Sequence, residues 1–116
     1  MIKGRVVRGD GVGKAQGYAT ANLRLNAESK GLRSGVYAAD AMLLGKRYDA
    51  ALIVAAKKIE VYLLRYKGED FYGKVLIVDP IQKVSEVIKT NSIAELQAKI
   101  AEDLHLVKEV LKERHR

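Results

Sequence analysis

The chain has no cysteine, no tryptophan and one proline, Pro80. Its longest apolar run is the strand-sized stretch from Ala50 to Ala56. The lack of cysteine excludes disulfides and thiolate metal sites and agrees with a reducing compartment, so a cytoplasmic location is expected. No stretch approaches the roughly 20 apolar residues of a membrane-spanning helix. The opening Met1-Ile2-Lys3-Gly4-Arg5 lacks the apolar core of a signal peptide. Aromatic residues make up 6% of the chain, too few for a platform that stacks single-stranded nucleic acid. There are no internal repeats, low-complexity tracts or linkers, and 116 residues suit one domain with one core, spanning residues 1–116.

What is present is basic charge and short β-branched segments. The net charge of +7 suits anionic partners, nucleotides among them. It is spread along the chain, apart from Lys112, Arg114, His115 and Arg116 at the end, and a spread of this kind reads as a solvated surface. Alternation and turn residues place strands at Lys3–Arg8, Ala21–Leu25, Gly35–Leu44, Lys46–Val54, Ile59–Tyr66 and Lys74–Val78. A two-residue hairpin turn is expected at Gly45-Lys46. Short strands at this spacing indicate an antiparallel barrel or sandwich over residues 1–90 or so. Ser92 to Glu113 reads as a helix, opened by a capping box of Ser92 and Glu95. Ile93, Leu96, Ile100, Leu104, Val107 and Leu111 fall on one face, which should pack on the strands.

Three stretches can carry chemistry. Gly9 to Asn22 holds Gly9, Gly11, Gly13 and Gly17, whose backbone can turn with positive φ and approach a ligand closely. Consecutive N–H groups there can cradle an anion, and Lys14 adds a point charge. Thr20 and Asn22, two apart on an extended segment, point the same way and suit Mg²⁺ shared with phosphate oxygens. The stretch is not a Walker motif, and a hairpin loop without ligand is the competing reading. Glu60 lies on the strand face opposite Ile59, Val61 and Leu63, where a carboxylate can serve as a general base or simply face water. Gly68 to Gly73 carries Phe71 and Tyr72, which can lie over a planar ligand or anchor a turn. His105 and His115 have no partner nearby in sequence and are read as neither ligand nor catalyst.

In combination these stretches resemble the ATP-dependent riboflavin kinase family, which also forms the kinase half of bifunctional bacterial FAD synthetases. The match runs in order through Gly4-Arg5-Val6-Val7-Arg8-Gly9-Asp10, Gly13, Gly17, Ala19-Thr20-Ala21-Asn22-Leu23, Gly35-Val36-Tyr37-Ala38, Ile59-Glu60-Val61-Tyr62-Leu63-Leu64 and Phe71-Tyr72-Gly73-Lys74. It ends in a helix with Leu96, Ile100 and Asp103. The resemblance implies a six-stranded antiparallel Greek-key barrel with a C-terminal helix packed on it. It implies transfer of the ATP γ-phosphate to the riboflavin 5′-hydroxyl, giving FMN and ADP, with Glu60 as catalytic base. Gly11, Gly13, Lys14, Gly17, Ala19, Thr20 and Asn22 would bind the nucleotide, Thr20 and Asn22 would hold Mg²⁺, and Phe71 and Tyr72 would meet the flavin.

The sequence departs from the family pattern at several positions. Ala19 stands where the family has proline, Tyr62 where it has histidine, and Ser85 near an expected arginine. The segment before Glu60 is too short for the usual flap. Only the kinase half is matched, so FAD synthesis is not expected, and a monomer without membrane or nucleic-acid partners is. Two alternatives stand beside this reading. One is a non-catalytic barrel of the same ancestry that binds flavin or nucleotide, and the other is a basic nucleic-acid-binding β-barrel.

Overall fold

The computed structural model describes residues 1–7, 19–23, 31–56, 58–68 and 70–114. They form strands β1 (Ile2–Val7), β2 (Ala19–Leu23), β3 (Gly35–Leu43), β4 (Lys46–Val54), β5 (Ile59–Leu63) and β6 (Val75–Ser85), followed by helix α1 (Ile93–Arg114). The strands close into a barrel in the order β1-β2-β5-β4-β3-β6, every neighbouring pair antiparallel. β3, β4 and β5 are consecutive neighbours, and β6 returns to lie beside β3, which is the Greek-key arrangement. Closure pairs each described strand with a neighbour on both sides over part of its length.

Period-2 alternation builds the barrel wall. Ala21 and Leu23 of β2, Tyr37, Ala39, Ala41 and Leu43 of β3, Leu52 and Val54 of β4, and Ile59, Val61 and Leu63 of β5 fill the interior. Alanines dominate the middle of β3, which lets larger side chains from the facing wall fit a narrow lumen. Tyr66 stacks edge to face with Tyr48 at 5.4 Å and with Phe71 at 5.1 Å, and all three pack against this interior cluster. Residues of opposite parity point outward. Val36, Ala38, Ala51, Tyr62 and Leu64 form a second apolar cluster, which Ile100, Leu104, Val107 and Leu111 of α1 cover. Each fully buried valine, leucine or isoleucine among them contributes about 1.5–3 kcal/mol.

The structure adjusts several expected boundaries. The β3–β4 turn is Leu44-Gly45 and not Gly45-Lys46, because Leu43 pairs with Lys46 and both turn residues have positive φ, 51° and 81°. β6 continues past Pro80 to Ser85, well beyond the expected end at Val78. Register shifts in the β3–β6 ladder between Ala38 and Ala39 lie next to the Ala39–Pro80 pair, where the proline has no N–H to donate. β5 stops at Leu63, ahead of the expected Tyr66, and Arg65 turns the chain with φ 60°. The expected extensions of β1 to Arg8 and of β2 to Leu25 lie outside the described residues.

Helix α1 begins with one half of the expected capping box, and the Glu95 carboxylate reaches back to the Asn91 amide, one residue before the Ser92 amide that a full box would engage. The Glu95 amide donates to Ser92 Oγ at 3.1 Å, and Glu95 Oε2 accepts from the Asn91 amide at 2.9 Å. Ile93, assigned by spacing to the apolar face, is 69% exposed, since the first turn projects beyond the barrel wall. No helix among the described residues is long and apolar enough to cross a membrane.

Candidate functional site

The polar site is built on the outer wall of β2 and β5. Interior packing of Ala21, Leu23, Ile59, Val61 and Leu63 sends Thr20, Asn22, Glu60 and Tyr62 outward, because successive strand residues alternate. The ladder then sets their lateral order. Asn22 is directly opposite Glu60, Thr20 is opposite Tyr62, and on the other side of β5 Ile53 flanks Glu60. Side chains directly opposite in an antiparallel pair have Cβ atoms about 5 Å apart, so the amide of Asn22 and the carboxylate of Glu60 share one site.

Glu60 faces outward and is nevertheless buried, at 6% exposure. A buried carboxylate is stable only when it is paired. Its partner is Lys58, whose Nζ is 3.0 Å from Glu60 Oε1. Lys58 follows a tight hairpin, in which Val54 pairs with Ile59 and the Ala55 amide donates to the Lys58 carbonyl at 3.0 Å. The short segment before Glu60 is therefore this hairpin. Sequence reading assigns Lys58 only to a break between strands; the signal for its role is its place two residues before Glu60, on the same side of an extended chain.

Thr20 and Asn22 are partly exposed. Their neutral oxygens suit a hard divalent cation that also takes phosphate and water oxygens. The described residues hold no cluster of three or more His, Cys, Asp or Glu side chains that could grip a metal, so a cation here would depend on substrate oxygens for its remaining ligands. The donor set fits Mg²⁺ on those terms.

The other expected site residues are placed as follows. Gly11, Gly13, Lys14 and Gly17 lie outside the described residues, and so does the side chain of Ala19, whose backbone pairs with Leu63. Phe71 is 8% exposed within the barrel interior, whereas Tyr72 is 41% exposed. Tyr62, in the position of the family histidine, is buried beneath α1. Ser85 sits where β6 meets the helix: its hydroxyl donates to Asp103 Oδ1 at 2.6 Å and accepts from Lys99 Nζ at 3.0 Å.

Fold and site define a closed β-barrel domain with a carboxylate-centred polar site on its outer wall. A family model described as riboflavin kinase matches residues 1–111. The bifunctional riboflavin kinase/FMN adenylyltransferase of Bacillus subtilis (strain 168) is 30% identical over 114 residues, covering 89% of this chain and 36% of its own length. That of Escherichia coli (strain K12) is 33% identical over 111 residues, covering 88% and 35%. The riboflavin kinase of Trypanosoma brucei superposes with a TM-score of 0.65 at 21% identity, over 95% of this chain and 75% of that one. A structure described as a macrolide-efflux protein from Streptococcus pneumoniae gives 0.79 at 25% identity, over 91% and 37%. The chain belongs to the riboflavin kinase family. It spans about a third of the length of the bifunctional curated relatives.

Proposed function

We propose that this domain transfers the γ-phosphate of ATP to the 5′-hydroxyl of riboflavin, giving FMN and ADP. The observation that carries the reading is the cross-strand pairing of Asn22 with a buried Glu60, with Thr20 two residues along the same face. Glu60 accepts the proton of the 5′-hydroxyl as that oxygen attacks the γ-phosphorus. The new bond is O5′–P, the bond broken is that between the γ-phosphorus and the β,γ-bridging oxygen, and ADP departs with the electron pair. Phosphoryl transfer depends chiefly on positioning and charge stabilisation, which a rigid strand pair supplies. Thr20 and Asn22 are the proposed Mg²⁺ ligands, and an ion held there would supply charge neutralisation to the phosphates. Gly11, Gly13, Lys14, Gly17 and Ala19 are the proposed nucleotide contacts. Tyr72, with Phe71 anchoring the turn beneath it, is the proposed contact for the flavin ring. A monomer in the cytoplasm belongs to the same proposal; light scattering and cell fractionation check it.

The test is riboflavin phosphorylation with ATP, CTP and GTP compared side by side, on wild type and Glu60→Gln. Wild type is expected to form FMN. Glu60→Gln should lower the rate by about 10²–10⁴-fold while keeping the fold, as loss of a general base does. Wild type that quenches riboflavin fluorescence without forming FMN would instead identify a binding barrel. Salt-dependent nucleic-acid binding without flavin affinity would identify the third reading.

A further inference from the structure

A charged group in contact with the Glu60 carboxylate, Lys58, has no part in the scheme above. Lys58 Nζ stands 3.0 Å from Glu60 Oε1, yet the two side chains differ greatly in exposure, 52% against 8%. The ammonium is therefore on the solvent side of the carboxylate, where a substrate must approach. We infer that Lys58 recognises the terminal phosphate of the nucleoside triphosphate, holding Glu60 in the substrate-free protein and shifting to that phosphate when nucleotide binds. This rests on the kinase reading of the site.

The geometry permits the exchange. A base within about 3 Å of the attacking hydroxyl, and that hydroxyl about 3 Å from phosphorus, put the γ-phosphorus roughly 6 Å from the carboxylate. A lysine already touching the carboxylate can cover that distance by rotating its flexible four-carbon stem. The bond from the Ala55 amide to the Lys58 carbonyl fixes the backbone from which the stem swings. The half-exposed ammonium gives way to a more highly charged anion, and the 5′-hydroxyl then donates to the buried Glu60 carboxylate in its place.

The charges require a compensating group in this place. A γ-phosphate brought toward an ionised Glu60 meets like charge, which disfavours close approach in a partly desolvated site. A cation between the two removes that repulsion, and a point charge does so without a fixed hydrogen-bond geometry. Discrimination follows from position. The terminal phosphate of a triphosphate reaches Lys58, whereas that of a diphosphate ends one phosphate short. Lys58 thus selects ATP over ADP and favours release of ADP.

The experiment compares wild type, Lys58→Met and Lys58→Arg by calorimetric binding of ADP and of a non-hydrolysable ATP analogue with Mg²⁺, and by the KM for ATP in FMN formation. Lys58→Met should weaken analogue binding about tenfold, as loss of a charge-assisted contact does. It should leave ADP and riboflavin affinity within about twofold and raise the KM for ATP in step. Lys58→Arg should restore most of the loss, and the split between weakened analogue binding and retained ADP binding is what a merely structural lysine would not produce. Equal weakening of ADP and analogue, or no weakening of either, overturns the inference while wild-type FMN formation keeps the kinase reading. Selective loss of analogue binding in a wild type that makes no FMN supports Lys58 and overturns the kinase reading. A wild type that binds no nucleotide overturns both.

Discussion

Glu60 shows how a single residue can be half legible in a sequence. Alternation alone sets it opposite Ile59, Val61 and Leu63, and the barrel interior occupies that other face. Outward residues of a barrel ordinarily meet water, so its burial at 6% cannot be foreseen from periodicity. It depends on tertiary neighbours: Ile53 on one side, Asn22 on the other and Lys58 above. Leu44 is the converse case. Turn statistics point to glycine as the first residue of a two-residue turn, and a leucine with φ 51° has no sequence signal. A left-handed conformation costs a non-glycine residue about 1–2 kcal/mol. The Leu44 side chain recovers little of this, since the residue is 75% exposed. Leu44→Asn should therefore stabilise the protein by about 0.5–1 kcal/mol, because asparagine adopts this conformation readily ahead of glycine in such a turn. Urea denaturation would show a higher midpoint at unchanged slope, and a lower midpoint would mean that Leu44 contributes packing that its exposure hides.

At the scale of elements, short-range signals predict well and long-range pairing does not. The capping box and the stripe Leu96, Ile100, Leu104, Val107 and Leu111 define α1 from sequence, because both are local. What fastens α1 to β6 is not local. Asp103, a charged residue inside the apolar stripe, is 6% exposed and is held by Lys99 at 2.5 Å and by Ser85, 18 residues away. The helix C-terminal end is tied to the barrel as well, through Arg114 and Asp40 at 3.5 Å. That second pair is largely exposed on the arginine side and adds little. The buried cluster is different, since removing one member strands a charge. Asp103→Ala should cost about 3 kcal/mol, and replacing Lys99 and Asp103 together with Met and Leu should recover most of it. Thermal or urea unfolding of the single and double variants measures this directly. A double variant as unstable as the single one would show that the cluster fixes the helix by geometry and not by charge balance.

At the scale of the whole molecule, one closed wall has two uses. Among the described residues its inner face is packed with apolar side chains, and the polar residues of the candidate site stand on the outer face. On the outside, α1 covers the apolar part of β3, β4 and β5, and the polar site continues along β5 and β2 from the covered Tyr62 to Glu60. This arrangement bears on which of the two reactions named for the bifunctional relatives the proposed site suits. Phosphorylation of riboflavin uses a neutral hydroxyl as nucleophile and benefits from a base. Adenylylation of FMN uses a phosphate that is already largely ionised near neutral pH, since its second pKa is about 6. A base is of no help to such a nucleophile, and a buried carboxylate repels it. The family match over residues 1–111 is to the riboflavin kinase alone. With riboflavin, ATP and Mg²⁺, this 116-residue chain should therefore accumulate FMN and stop there. Chromatography of the flavin products over many turnovers tests this. FAD appearing in proportion to enzyme, and lost together with FMN in Glu60→Gln but formed again when FMN is supplied, would require a second phosphate-handling site elsewhere on the chain.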